Sequence, residues 1–340
     1  MRRVLALPFV VILMGIGAAA MYLPAMHALA LHDHDVARAF FYSGTILLML
    51  TVLLAIATAA NRTSNPARSH LLTLFATFTV LPVMLAVPFR EAVPDTTFFN
   101  AWWEMVSSLT TTGASLFEPA RLPPSVHLWR ALVGWMGGYF VLVTAVAILA
   151  PMNLGGFEVL SGAPVGQGAA RSGEAARSVA VSERLWRYSK ALFPAYSALT
   201  LALWIGLILA GDSALTAACH AMSTLATSGI SPVGGVAGSR SGAWGEVVIF
   251  IFLIFALSRR LYPSGRALRN ALSLSSDPEL RMALLLVTVV PALLFLRHWV
   301  GALEVDEVQD FTAALRALWG TIFTVLSFLT TTGFESVDWS

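Results

Sequence analysis

The chain has 340 residues, of which 57% are hydrophobic and only 12% charged, for a formal net charge of +2. Soluble domains carry about 25% charged residues, so this composition, with its several long apolar windows, excludes a soluble globular protein and defines a polytopic membrane protein. The single cysteine, Cys219, excludes an internal disulfide, and no basic run interleaved with aromatics points to nucleic acid.

Arg2-Arg3 precedes an apolar run from Val4 to about Leu23. The Ala18-Ala19-Ala20 tract resembles a signal-peptide cleavage region, but the run is long for a signal core and a further span follows at once. A retained first helix is therefore expected. His27 to Arg38 reads as a short polar loop, Ala39 to Ala60 as the second spanning helix, and Asn61 to His70 as a linker. Leu71 to Phe89 spans again, with Pro82 and Pro88 expected to kink it or end it early. Thr97 to Leu109 reads as a short half-helix, with Trp102 and Trp103 near its start, where interfacial aromatics belong.

Glu118 to Leu122 is then an exposed connection, and Trp129 to Ala150 returns across the membrane through Gly134-Trp135-Met136-Gly137-Gly138. Small residues there would let the returning helix press against the half-helix before it. Pro151 to Ser189 reads as the longest loop. The order then repeats: Ala191 to Ala210 spans, Ser213 to Thr224 dips in, and Trp244 to Leu257 leads back. After a basic loop from Arg259 to Arg281, Met282 to Leu296 is a third such span and Thr312 to Phe328 a third half-helix. The expected division is a two-helix prelude over residues 1–65 and pore units over 66–160, 161–270 and 271–340.

Each half-helix ends in one short pattern. Ser107-Ser108-Leu109-Thr110-Thr111-Thr112-Gly113 recurs as Ser223-Thr224-Leu225-Ala226-Thr227-Ser228-Gly229 and as Ser327-Phe328-Leu329-Thr330-Thr331-Thr332-Gly333. Counted back from the glycine, all three carry Ser at −6, Leu at −4, Thr at −2 and Thr or Ser at −1. Such a repeat marks one supersecondary unit used three times. The preceding segments read as too brief to cross a bilayer, hence as helices that enter and turn back.

Irregular backbone at membrane depth is tolerated only where protein buries it or where it lines a watery cavity. A half-helix aims the negative end of its dipole at that cavity, which favours a cation. Carbonyls of the turn can replace part of a cation's water shell, and glycine permits backbone angles a side chain forbids. The competing reading has the hydroxyls bonding back onto helix carbonyls and the glycines serving close packing.

Charge asymmetry orients the chain. Arg2, Arg3, Arg62, Arg68, Arg171, Arg177, Arg184, Arg187, Lys190, Arg259, Arg260, Arg266, Arg269 and Arg281 fall on the side of the N-terminus, which the positive-inside rule makes cytoplasmic. Glu91, Asp95, Glu118, Asp212, Glu304, Asp306, Glu307, Asp310, Glu335 and Asp338 fall on the other side, toward which the turns open. Arg130 and Arg316 read as snorkelled or paired arginines near an interface. His220 reads as a packing histidine, and Trp186, Tyr188 and Tyr196 as an interface belt.

These features together resemble the TrkH/KtrB/HKT superfamily of potassium transporters. The three turns carry the resemblance, with Trp129-Arg130, the Gly134 to Gly138 run, Ser213 to His220 and the two-helix prelude. It implies an all-α polytopic membrane protein of repeated helix, half-helix, filter-turn and helix units around a central pore, in the bacterial cytoplasmic membrane. It also implies a filter made of Thr110, Thr111, Thr112, Gly113, Ala226, Thr227, Ser228, Gly229, Thr330, Thr331, Thr332 and Gly333, passing potassium, with rubidium or sodium as further ions and no cofactor. Gly113 stands where sodium-preferring relatives carry serine, which implies potassium selectivity. The implied partners are a second copy in a homodimer, membrane lipid and a cytoplasmic TrkA/KtrA-type nucleotide-binding ring.

Family members have four units, whereas only seven residues follow Gly333. The 340 residues are therefore expected to be part of a longer transporter, with a non-conducting assembly subunit as the alternative. An intramembrane serine hydrolase is the alternative from another class, with Gly113-Ala114-Ser115 as the nucleophile turn, Gly229-Ile230-Ser231 as a second such triplet and His220 as base.

Overall fold

The computed structural model describes residues 9–58, 75–145, 174–254, 256–257, 278–303 and 311–339, and all regular structure among them is helical. Seven of the described helical stretches are long and apolar enough to cross a membrane. Two compact units are formed, Met1–Thr110 with Met136–Pro194, and Thr111–Trp135 with Ala195–Ser340.

The first unit contains α1 (Phe9–Ala20), α2 (Tyr22–Ala30), α3 (His34–Thr58), α4 (Leu81–Ala92) and α5 (Phe98–Leu109). Helix α1 packs on α3 and α4, α2 on α3, α3 on α4, and α4 on α5. Phe40, Leu85, Phe89 and Met105 fill its interior. On α3, by contrast, Ile46, Met49, Leu53 and Ile56 recur at helical spacing and are 64%, 64%, 63% and 69% exposed. So continuous an apolar stripe suits a lipid surface and not water.

Helices α6 (Pro124–Thr144) and α7 (Glu174–Leu209) contribute residues to both units. The expected close approach of α6 is present: a Cβ built on Gly137 would stand 2.0 Å from the Leu109 carbonyl oxygen at the end of α5. Only a residue without a side chain permits that contact.

The second unit holds α8 (Ala214–Ala226), α9 (Gly242–Ile254), α10 (Pro278–Leu303) and α11 (Phe311–Leu329). Helix α10 packs on α11, α11 on α9, and α9 on α8. Leu203, Leu207, Ala221, Ile249, Leu253, Phe323 and Leu326 form its buried cluster. Lipid is as apolar as leucine, so such burial adds dispersion contacts but little hydrophobic driving force between helices. Polar links inside the unit therefore carry more of its specificity.

Several expectations are corrected. The loop expected over Pro151 to Ser189 is helical from Glu174 onward, because Glu174 to Phe193 is rich in strong helix formers and lacks glycine and proline. Residues 151–173 lie outside the described part. Of the loop expected from His27 to Arg38, only residues 31–33 are non-helical. The Asp33 carboxylate accepts from the Val36 N–H at 3.3 Å and so starts α3 early. Pro88 does not end α4, which continues to Ala92, while a break at Val80 precedes Pro82. The third half-helix, α11, has 19 residues, enough to span, against 12 and 13 for α5 and α8.

Arg130 is buried within α6 and not snorkelled, whereas Arg316 is exposed. Tyr196 does not belong to an interface belt: it is 1% exposed and donates its hydroxyl to the Trp135 carbonyl at 3.1 Å. Of the charges used for orientation, Arg2, Arg3, Arg62, Arg68, Arg171, Arg259, Arg260, Arg266, Arg269, Glu304, Asp306, Glu307 and Asp310 lie outside the described residues.

Candidate functional site

Helices α5, α8 and α11 end at Leu109, Ala226 and Leu329, so each delivers its C-terminus within four residues of a repeat glycine. Thr97 and Ser213 open α5 and α8 as N-caps, accepting from Asn100 N and Thr216 N, each at 3.2 Å. The same local chemistry therefore starts the first two helices and leaves the negative dipole end at the turn.

The turns share one backbone course. Gly113, Gly229 and Gly333 have φ of 73°, 67° and 78°, as glycine allows. The threonine two residues earlier is also left-handed each time: Thr111 at 56°, Thr227 at 49° and Thr331 at 61°. Among the described non-glycine residues only His32 shares a positive φ. A β-branched residue in that region is an outlier costing about 1–2 kcal/mol. Three such outliers at one repeat position mark a conformation that the surroundings enforce.

Hydrogen bonds repeat as well. The −1 residue donates back to the −6 carbonyl in the second and third turns, from Ser228 N to Ser223 O and from Thr332 N to Ser327 O, both at 2.9 Å. The −6 serines use their hydroxyls locally: Ser223 accepts from Ser228 Oγ at 3.2 Å, and Ser327 from the Phe334 N–H at 2.7 Å. At −3, the hydroxyls of Thr110 and Thr330 bond back to the carbonyls of Val106 and Leu326, at 2.8 and 3.0 Å. Those two hydroxyls are committed to the helix, as the competing reading required. The second turn has alanine at this position, so only the first and third turns carry this hydroxyl bond.

The turns also meet one another. A Cβ on Gly113 would lie 1.7 Å from the Ser228 carbonyl oxygen, and one on Gly229 would lie 2.2 Å from that of Thr332. At Gly333 no described atom comes within 4 Å of the same point. First, second and third turns thus stand in sequence, with Gly113 and Gly229 each closed by the next turn's −1 carbonyl and Gly333 open.

Two buried acids support this cluster, and sequence spacing passed over both roles. Glu246 on α9 is 1% exposed and accepts from Trp319 Nε1 at 2.9 Å, Ser336 Oγ at 2.8 Å and Val337 N at 2.8 Å. It ties the returning helix to α11 and to the strand that leaves the third turn. The only local signal is a carboxylate in an apolar helix, which requires a partner. Asp212, one of the acids assigned to the face toward which the turns open, is 6% exposed and accepts from the Ser241 N–H and hydroxyl, both at 3.0 Å.

Burial alone would raise the Asp212 pKa. The His220 imidazole, 3.9 Å away, and the two Ser241 donors outweigh it, so the carboxyl is held below its ordinary value of 3.8. A lowered folded pKa means that the stabilisation is complete above the unfolded value and disappears as pH falls through the folded one. Asp212→Asn should therefore cost about 1–3 kcal/mol at neutral pH, and the gap to the wild type should narrow as pH falls below the ordinary 3.8 and through the lower folded value in thermal unfolding scans. An equal gap at pH 7 and pH 3 would exclude this origin.

The pairing of Ser115 with His220 that the hydrolase reading needs is not formed. His220 Nε2 stands 2.8 Å from Ser231 Oγ, not on Ser115. The Ser231 hydroxyl donates to the Gly235 carbonyl at 3.3 Å and accepts from the Val233 N–H at 3.2 Å. The Ser231 hydroxyl thus sits in a local network with His220, Gly235 and Val233 that braces the segment leaving the second turn.

Helices that cross a membrane, together with three left-handed turns at helix C-termini, define a multi-pass helical membrane protein with a repeated loop. The chain belongs to the TrkH family of cation transport proteins, whose profile matches residues 36–237. It is 30% identical over 275 residues to the Trk system potassium uptake protein TrkI of Halomonas elongata, covering 78% of this chain and 49% of that protein. It is 29% identical to the TrkH of Salmonella typhimurium, over 93% of this chain and 63% of that protein. The chain thus spans about half to two thirds of the length of these relatives. The crystal structure of the potassium transporter TrkH from Vibrio parahaemolyticus has the same fold, with a TM-score of 0.73 at 24% identity, over 100% of this chain and 67% of that one.

Proposed function

We propose that the chain provides a potassium uptake pathway across the bacterial cytoplasmic membrane. The filter is formed by Thr110, Thr111, Thr112 and Gly113, by Ala226, Thr227, Ser228 and Gly229, and by Thr330, Thr331, Thr332 and Gly333. The observation that carries this reading is the common left-handed backbone of the three turns, with Gly113 and Gly229 packed on the next turn's carbonyl. Such a stack presents fixed backbone oxygens to a dehydrating cation at the negative ends of helices, and performs no bond chemistry. The relatives TrkI and TrkH are named potassium uptake proteins, which supports potassium as the ion.

In this reading residues 1–65 precede three pore units over 66–160, 161–270 and 271–340, and the N-terminus is cytoplasmic by the positive-inside rule. A second copy of the chain and a cytoplasmic nucleotide-binding ring of the TrkA/KtrA type are its partners. The test is rubidium uptake into liposomes holding the protein, with sodium in excess. Uptake that resists sodium supports the reading. Uptake that sodium suppresses in proportion overturns selectivity, and no uptake at all overturns conduction by these residues.

A further inference from the structure

Nine residues before each filter glycine the chain places a polar side chain with 0% exposure: Glu104, His220 and Thr324. In the second and third turns this side chain reaches forward to the strand that leaves its own glycine. His220 Nε2 lies 2.8 Å from the hydroxyl of Ser231, two residues after Gly229. Thr324 Oγ1 accepts from the N–H of Ser336, three residues after Gly333, at 3.1 Å. A buried polar group at helix depth is costly unless bonded, and here one repeat position spends its bond in one direction, across the turn.

His220 has the larger reach of the two. Its ring also meets the ring of Phe334 edge-on, with centroids 5.5 Å apart, and Phe334 directly follows the third glycine. Its Nδ1 is 3.9 Å from Asp212 Oδ2, which is held in turn by Ser241. One imidazole thus touches the exit strand of the second turn, the first residue after the third turn, and the acid that anchors the entrance of α8. The joint it backs is the one where Gly229 packs on the Thr332 carbonyl.

We infer that His220 is a positioning residue for ion discrimination, which sets the spacing of the second and third turns through Ser231 and Phe334. The inference rests on the filter reading and deepens it. His220 is fully buried against Ser231, Asp212 and Phe334, so it acts on where carbonyls stand. Filters discriminate between cations by the placement of carbonyl dipoles, and displacements well below an ångström at Gly229 alter two turns together.

The experiment compares rubidium and sodium flux in liposomes for the wild type, His220→Ala, His220→Gln and Ser231→Ala. His220→Ala should lower rubidium-over-sodium discrimination about tenfold, whereas His220→Gln, whose amide can reach Ser231 from the Nε2 position, should restore most of it. Ser231→Ala removes the other end of the same bond with little change in volume, and should reproduce the loss even if His220→Ala does not fold. Rescue by glutamine is the readout that a simple packing role would not give. A selective wild type with equally selective His220→Ala, or with equally selective Ser231→Ala, overturns this inference alone. A wild type that does not discriminate overturns the filter reading and this inference with it.

Discussion

Replacing Gly113 with serine should raise sodium permeation relative to potassium by about tenfold or more, a loss of at least about 1.4 kcal/mol of discrimination. Two effects act together. The residue sits at φ of 73°, where a side chain adds strain of about 1–2 kcal/mol. More decisively, its Cβ would stand 1.7 Å from the Ser228 carbonyl oxygen, a distance no pair of atoms tolerates. One of the two turns must then retreat, and the oxygens of two turns are displaced by a change in one. Reversal potentials in mixed potassium and sodium solutions measure the outcome. Gly242→Ser is the matched control, since Gly242 has φ of 53° but nothing within 4 Å of its Cβ position. It should leave the ratio unchanged, and an equal effect of the two substitutions would assign the change to strain instead of the clash.

The largest effect on stability should come from Glu246. Truncation to alanine leaves the Trp319 N–H, the Ser336 hydroxyl and the Val337 N–H without their acceptor in a low-dielectric interior. Each unsatisfied donor costs about 1–3 kcal/mol, so about 3–9 kcal/mol is expected for the three. Glutamine should fall between, because its amide oxygen still accepts while its NH2 faces a donor. Thermal unfolding in detergent gives the order wild type, Glu246→Gln, Glu246→Ala. Glu91→Gln, at an exposed acid, should stay near the wild type. A Glu246→Gln protein as stable as the wild type would mean that the three bonds contribute nothing.

The sequence made the helices and the three turns legible because their signals are local. An apolar window, a capping Thr97 or Ser213 and a glycine after a Thr pair each fall within a few residues of one another. The polar scaffold behind the turns was not legible for the opposite reason. Glu246 meets Trp319 and Val337 at sequence separations of 73 and 91, and Asp212 meets Ser241 at 29. No periodicity reports such partners. The left-handed threonines were missed because glycine is the residue that announces that conformation, and a β-branched side chain argues against it. The extension of α7 back to Glu174 was missed because a run of Ala, Arg and Ser outside the apolar span carries no amphipathic stripe, although its helix propensity is high. His220 was read correctly as packed, but its direction, across the turn toward Ser231, needed the fold.

Closure of Gly113 and Gly229 by the following turn's carbonyl also limits how the three repeats can diverge from one another. A freely standing copy could drift alone, losing or gaining bulk without regard to its sisters. Here the space above Gly113 belongs to the second turn, and the space above Gly229 belongs to the third. A substitution that moves Ser228 therefore changes what residue 113 can be, and one that moves Thr332 does the same for residue 229. Tolerated variation should come in pairs that straddle neighbouring repeats, so the three turns are inherited as one linked character although each is encoded separately.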